Sequence, residues 1–340
     1  MKAFEWSSPT TVEDAIAQLS VGLNADDTQN DPYESPRPLA GGQDLLTTMK
    51  EYLVRPPRVV NLKTISGMDK IGGDAKTGLK IGALVKLVEL VEHPEIISGF
   101  PGLAEAAHSI GTPQIRNMGT AAGNLCQRPR CWYFRMEDVV CLKKGGDTCY
   151  AEKGQNKYHA IFGGGPSFIV HPSDLAPMLI ALGASVTVAS QGGARRDVPL
   201  DQFFTLPGTG DPERENILKM NEIVTQIILP ASPVAARSTY VKFKERLSQD
   251  FALASVAAAV SLGSDGTVSQ AKIVLGGVAP APWPVDTAAK SLVGKKLDPP
   301  TVSAAADLAL QGATPLEHNA YKVPLAKALV RRALTKLATA

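Results

Sequence analysis

The chain has 340 residues, of which 44% are apolar and 20% charged, and its net charge is +2. That is apolar material for two or three domains with their own cores, and the balanced charge argues against a nucleic-acid binder or an adherent of anionic membranes. The start, "MKAFEWSSPTTVEDAIAQL", lacks an apolar signal core and no later window is long and apolar enough to cross a membrane, so neither a signal peptide of its own nor a membrane span is expected.

"TVEDAIAQLS" opens at Thr11 and sets Val12, Ala15, Ile16 and Leu19 on one face behind an acidic first turn, predicting an amphipathic helix that ends near Gly22. Asn24 to Pro38 is polar, acidic and proline-bearing, and reads as a mobile surface loop without function. "RPLAGGQDLLTTMK" then brings a short apolar run, a glycine pair and a helix from Asp44; "RVVNLKTI" and "LKIGALVKLVELVEH" follow as strand and strand-turn-helix. Further on, "FIVHPSDLAPMLIALGASVTVAS" predicts a strand, a turn at Pro172, a helix capped by Asp174 and a hairpin to "RRDVPL", and "EIVTQIILP" a strand ending at Pro230. Beyond Ser232 the chain reads as a strand, a helix or strand at "FALASVAAAVSL", a hairpin at "SDGT" and another strand, then alanine-rich helices to Ala340. The composition of "LPASPVAA" puts a domain boundary at 230–235.

Three stretches carry chemistry. In "LAGGQDLL" the glycines permit positive φ and close backbone approach, and the following helix start offers free N–H groups, the outline of a pyrophosphate cradle or equally of an ordinary turn. The second glycine loop, "IGTPQIRNMGTAAGNL", sets Gly111, Gly119 and Gly123 among Arg116, Asn117, Thr120 and Asn124, polar groups suited to phosphate, ribose or a flavin edge. The third holds every cysteine of the chain, Cys126, Cys131, Cys141 and Cys149. Their spacing departs from the paired knuckles of structural zinc, whereas iron-sulfur clusters take four thiolates at irregular spacings. Arg128, Arg130, Arg135, Lys143 and Lys144 add positive charge that an anionic cluster would draw on.

Together with "HPSDLAPMLIALGA", "LDQFFTLPG" and "IVLGGVAPAPW", these stretches make the sequence resemble the FAD-binding subunit of the xanthine dehydrogenase family of molybdenum hydroxylases over nearly its whole length. Through "QRPRCWYFR" it looks most like the 4Fe-4S-containing medium subunit of bacterial periplasmic aldehyde oxidoreductases. The resemblance implies an α+β fold: a two-part FAD domain of the vanillyl-alcohol-oxidase type over 1–230, split at about 62/63, with a 4Fe-4S insertion at about 125–165, then a smaller α+β domain over 231–340. It implies that Gly41, Gly42, Gln43 and Asp44 wrap the FAD pyrophosphate, flanked by Leu39, Ala40 and Leu45. Gly111, Gln114, Arg116, Asn117, Gly119, Thr120, Gly123, Asn124, Ser173, Asp174 and Ile223 complete the site, with Lys242 near the ring.

In the relatives three cluster ligands fall where Cys131, Cys141 and Cys149 stand, and a fourth lies downstream in a stretch that here has no cysteine. Cys126 is then the expected fourth ligand; a three-thiolate cluster completed by His159 or another group, or no intact cluster, are the open alternatives. The implied work is electron transfer, with a molybdopterin-binding large subunit and a 2Fe-2S small subunit as partners, an external electron acceptor, and no catalytic acid or base in this chain. The implied compartment is the cytoplasm, or the periplasm by co-export with a signal-bearing partner. A stand-alone flavoprotein oxidoreductase with a structural metal loop is the competing reading.

Overall fold

The computed structural model describes residues 1–339, arranged around three sheets. The first is a short parallel sheet, β1 (Glu5–Ser7), β2 (Arg37–Leu39) and β3 (Arg58–Asn61) in the order β1-β3-β2, with α1 (Val12–Leu19) against it and α2 (Leu45–Lys50) following β2. The predicted face of α1 is buried at all four positions, and Thr11 caps it by accepting from Asp14 N. Leu19 is wholly buried, so truncating it to alanine costs about 3 kcal/mol.

The second sheet is antiparallel and five-stranded: β4 (Ile71–Asp74), β5 (Gly78–Gly82), β6 (Ser185–Ala189), β7 (Arg195–Pro199) and β8 (Ile223–Leu229), in the order β4-β5-β8-β6-β7. Between β5 and β6 run α3 (Leu87–Glu92), α4 (Pro94–Gly99), α5 (Pro101–His108), α6 (Pro113–Met118), α7 (Ala121–Leu125), the short α8 (Trp132–Arg135) and α9 (Leu175–Ala181). The second glycine loop is thus two short helices, because Thr112 and Thr120 each turn a hydroxyl back to a helix start, accepting from Ile115 N and Gly123 N. The stretch expected as a strand before Pro172 has no strand partner. Its backbone ties instead to the last domain, His171 N donating to Ala279 O at 2.9 Å.

The third sheet holds β9 (Ser238–Phe243), β10 (Ala254–Leu262), β11 (Val268–Gly276) and β12 (Trp283–Pro284), covered by α10 (Asp286–Leu292), α11 (Pro299–Ala309) and α12 (Lys322–Thr339). The alanine-rich stretch left open between helix and strand is strand β10. Ala257 and Ala259 face the core shared with α5 and α9, while Ala254, Val256, Ala258 and Val260 face the core under α12. A strand buried on both sides shows no alternation, and its small side chains let helices approach from either face. No helix is long and apolar enough to cross a membrane.

Candidate functional site

A cleft of about 660 Å³ runs between the first sheet and the helices of the second. Its floor is the first glycine loop. Among the described residues no protein group accepts from the backbone N–H of Gly41, Gly42, Gln43, Asp44 or Leu45, so five consecutive donors are left for a ligand. Gly42 stands at φ +73, which helps turn successive N–H groups one way, as anion-binding nests do. Gly41 answers a different demand: a Cβ there would lie 2.2 Å from Met118 O, so the missing side chain lets the two glycine loops touch. The donors fit the pyrophosphate of FAD.

Thirteen of the expected FAD residues line the cleft: Ala40, Gly41, Gly42, Gln43, Asp44, Leu45, Gly111, Gly119, Thr120, Gly123, Asn124, Asp174 and Ile223. Others are placed elsewhere. Leu39 is buried in the small core with Met49, Val54 and Val59, and Gln114 and Asn117 point to solvent. Arg116 turns away to donate to Ile110 O at 2.9 Å. Ser173 sits behind Asn124, donating to its Oδ1 at 2.6 Å and accepting from Ala176 N, so Ser173 caps α9 where Asp174 was expected to. Asp174 is occupied by Lys242 Nζ at 2.7 Å and Tyr240 OH at 2.6 Å. Lys242 therefore stands behind the cleft wall with its charge matched by a carboxylate, and Asp174 is the member of the pair that faces the ligand space.

Asp44 joins this cleft to the cysteine segment. Its Oδ1 meets Arg130 at 2.6 Å and Arg135 at 2.9 Å, and its Oδ2 accepts from Arg128 N at 2.7 Å. Burial opposes its ionisation, but the two guanidinium ions outweigh that and hold the carboxyl below its ordinary range. Glu215 does the same one layer deeper, pairing with Arg128 at 3.0 Å and Lys143 at 2.7 Å, and is likewise kept ionised against its burial. Four of the cations expected to neutralise a cluster are thus spent on carboxylates, Arg128, Arg130, Arg135 and Lys143. Lys144 is the one outside salt-bridge distance of a carboxylate among the described residues: burial lowers its pKa, while Cys141, Asp138, Cys131 and Glu137 pull it up.

The polar stretch 24–38, expected to be mobile and idle, is an anchored wall of the site. Tyr33 donates to Lys143 O, Asp27 pairs with Arg214, and Pro32, Arg37 and Pro38 line the cleft. Burial, helped by the neighbouring Arg128, lowers Arg37 to about 10, and its one side-chain hydrogen bond among the described residues goes to Met220 Sδ at 3.7 Å. With no carboxylate within salt-bridge distance among the described residues, Arg37 is a cation facing the ligand space. The segment Glu213–Val224 supplies the opposite wall and Gln249–Phe251 its rim. The charge-dense "DPERENILKMN" was the available sign of that wall.

The four cysteines are all free and do not stand together. Cys126 lines the cleft and packs on the flavin-domain core; burial, with Glu215 adding to it, pushes its thiol up to about 12. No other thiol acts on it. Cys131 packs against the apolar group that contains Cys141, and the bond from Leu142 N to Thr148 O, 2.9 Å, brings the neighbours of Cys141 and Cys149 together. Burial lifts Cys131 to about 12, opposed by the backbone N–H groups of Phe134 and Tyr133 and aided by Cys141 and Cys149. So the structure groups Cys131, Cys141 and Cys149 and leaves out Cys126, the expected fourth ligand, because α7 aims that side chain at the cleft. Among the described residues no three His, Cys, Asp or Glu side chains converge as the ligands of a single ion do, so the placement makes no mononuclear zinc site. The three thiols lie near enough for Cys149 to raise the pKa of both Cys131 and Cys141.

A profile described as the FAD binding domain in molybdopterin dehydrogenase matches residues 2–232, and one described as the CO dehydrogenase flavoprotein C-terminal domain matches residues 238–337. The aldehyde oxidoreductase FAD-binding subunit PaoB of Escherichia coli is 34% identical over 291 residues, covering 85% of this chain and 87% of that one. The carbon monoxide dehydrogenase medium chain of Hydrogenophaga pseudoflava is 30% identical, covering 97% and 96%. The solved carbon monoxide dehydrogenase of that organism matches with a TM-score of 0.73 at 29% identity over 98% of this chain and 96% of that one. Quinoline 2-oxidoreductase from Pseudomonas putida 86 matches with a TM-score of 0.73 at 25% identity, over 100% and 99%. With a first profile spanning both glycine loops and most of the cleft and a second spanning the third sheet, the chain belongs to the family of FAD-binding subunits of the molybdenum hydroxylases.

Proposed function

We propose that this chain is the electron-transfer subunit of a molybdenum-dependent aldehyde oxidoreductase. It holds FAD in the cleft and a 4Fe-4S cluster on Cys131, Cys141 and Cys149 with one further donor. A large subunit carrying the molybdenum cofactor and a small subunit carrying 2Fe-2S centres complete the complex, and electrons leave to an external acceptor. The observation that carries this reading is the ionic seam of Asp44, Arg130 and Arg135, which fastens the phosphate loop to the segment bearing the three thiols.

When bound, FAD supplies two-electron acceptance and onward transfer. The chain's own residues bind and orient. The N–H groups of Gly41 to Leu45 and the Arg37 guanidinium hold the diphosphate, and Asn124, fixed by Ser173, offers its amide NH₂ to the ring side of the cleft. Asp174 keeps Lys242 close but neutralised. In the cleft Asp44, Asp174, Glu215 and Glu222 are held in ion pairs, and Glu213, which burial pushes above its ordinary range, has none among the described residues.

The test is isolation from cells expressing the chain with molybdenum and 2Fe-2S partner subunits. The expected product is a complex with one flavin and four irons beyond those of the small subunit, reducing an acceptor only when an aldehyde is present. A stable lone chain that oxidises a substrate by itself sinks the proposal in favour of a stand-alone flavoprotein.

A further inference from the structure

Asp174 occupies the position before α9 where a carboxylate ordinarily caps its own helix, yet it makes no such bond; Ser173 does. Both of its oxygens are taken by strand β9 instead. Tyr240 OH donates to Oδ1 at 2.6 Å and Lys242 Nζ to Oδ2 at 2.7 Å. The two donors stand two residues apart and therefore on one face of the strand. The edge of β9 is fastened to the flavin domain: Glu105 of α5 accepts from Tyr240 N at 3.0 Å and from Thr239 Oγ1 at 2.7 Å, and pairs with Lys336 of α12 at 2.6 Å. Lys242 also donates to Ser109 O at 3.2 Å.

The group is dry. Tyr240 is 6% exposed, and the side chains of Asp174 and Lys242 are 6% and 5% exposed. In such surroundings charge is weakly screened, so the balance among the three groups reaches any ligand in the cleft that Asp174 borders. Burial and the Asp174 carboxylate push the Tyr240 phenol well above its ordinary range, which keeps it a donor. Burying that hydroxyl costs free energy that its bond to Asp174 offsets, and the bond draws negative charge from the carboxylate. Reduction adds electrons to a flavin, so a carboxylate beside the cofactor opposes reduction and each donor to that carboxylate eases it.

We propose that Tyr240 is a positioning residue of the flavin site, holding and partly neutralising Asp174 so that FAD is more readily reduced; the inference rests on FAD occupying the cleft as proposed above. Neither Tyr240 nor Lys242 lines the cleft, so β9 acts on the flavin through Asp174.

The experiment uses the whole complex with its partner subunits. Flavin content and the flavin midpoint potential, from a dye-mediated redox titration, are measured for wild type, for Tyr240→Phe, for a complex with fluorotyrosine in place of Tyr240, and for Tyr240→Phe in an Asp174→Asn background. Tyr240→Phe is expected to bind flavin at a lower potential, read as a several-fold smaller ratio of reduced to oxidised flavin at a fixed ambient potential. The fluorinated phenol has nearly the same shape and is the stronger donor, so its expected shift is upward. In the Asp174→Asn background the loss of the hydroxyl is expected to shift the potential much less. An unchanged potential in Tyr240→Phe, shifts of one sign from both replacements, or an undiminished shift in the Asp174→Asn background overturns the assignment and leaves Tyr240 a packing residue. If Tyr240→Phe takes up no flavin, the sign of the fluorotyrosine shift decides. Wild-type complex without flavin removes FAD from the cleft, a failure separate from all of these.

Discussion

In the flavin cleft the binding groups are backbone N–H donors and a guanidinium ion, already charged or polarised and already in place. In the cysteine segment they are buried thiols, Cys131 pushed up to about 12, that must shed protons before they can bind. The cleft is preorganised, and its affinity for an anion depends little on acidity near neutral pH. On the proposed cluster, ligand binding in this segment is coupled to deprotonation, and metal and fold are expected to arrive together. Asp44 and Glu215 are the two carboxylates at which these regimes meet, and the sharpest tests of the difference act on them.

Glu215→Gln has the largest expected effect. Its side chain is 6% exposed and faces Lys143 at 2% and Arg128 at 17%, so the variant leaves two cations without an anion. Breaking such a pair costs about 3–5 kcal/mol, to be read by chemical denaturation of the complex. The native carboxyl lies below its ordinary 4.5. Its stabilisation is therefore complete above about that pH and is lost as pH falls through the lowered native value. Wild type is expected to lose stability on acidification below pH 4.5 and Glu215→Gln to lose less; parallel curves break the assignment. Asp44→Asn comes next, at about 2–3 kcal/mol because the pair is more exposed. The loop N–H donors survive this change and the seam does not, so the variant sheds iron before flavin on mild warming. Simultaneous loss shows that the two regions fold as one.

Part of this was legible in the sequence. The buried face of α1 follows from a period of apolar positions within ten residues, and the glycine pair announces a tight loop wherever it stands. Long-range charge was not legible. The partners of Asp44 lie 86 and 91 residues further on, and an acidic residue after two glycines suggests a phosphate loop whichever cation it serves. Arg37 sits in a stretch whose composition says loop, and nothing local shows that Arg128 and Met220 enclose it. The strand β10 hid for another reason: burial on both faces erases the alternation that marks a strand. Cys126 stands beside the other thiols along the chain, while the fold places it, one residue past the end of α7, at the cleft.

Arg37→Met separates the regions from the cleft side. Removing one charge-assisted contact to a phosphate is worth about 1.5 kcal/mol, a loss of roughly tenfold in FAD affinity by fluorescence titration, with the iron count unchanged. Unaltered affinity takes Arg37 out of the site.

Cys126→Ser carries the smallest expected change and bears most directly on where one region ends. The thiol is raised to about 12 chiefly by burial, so it is neutral in the fold, and its surroundings are the flavin-domain core and Glu215 rather than the other cysteines. Serine keeps the volume and adds a hydroxyl that borders the cleft, for a cost of about 1 kcal/mol, seen as a melting temperature lower by about 2–4 °C. Iron and sulfide per chain stay at the wild-type value. If instead one iron in four is lost, Cys126 bridges the two regions as a ligand and the segment begins inside the flavin cleft.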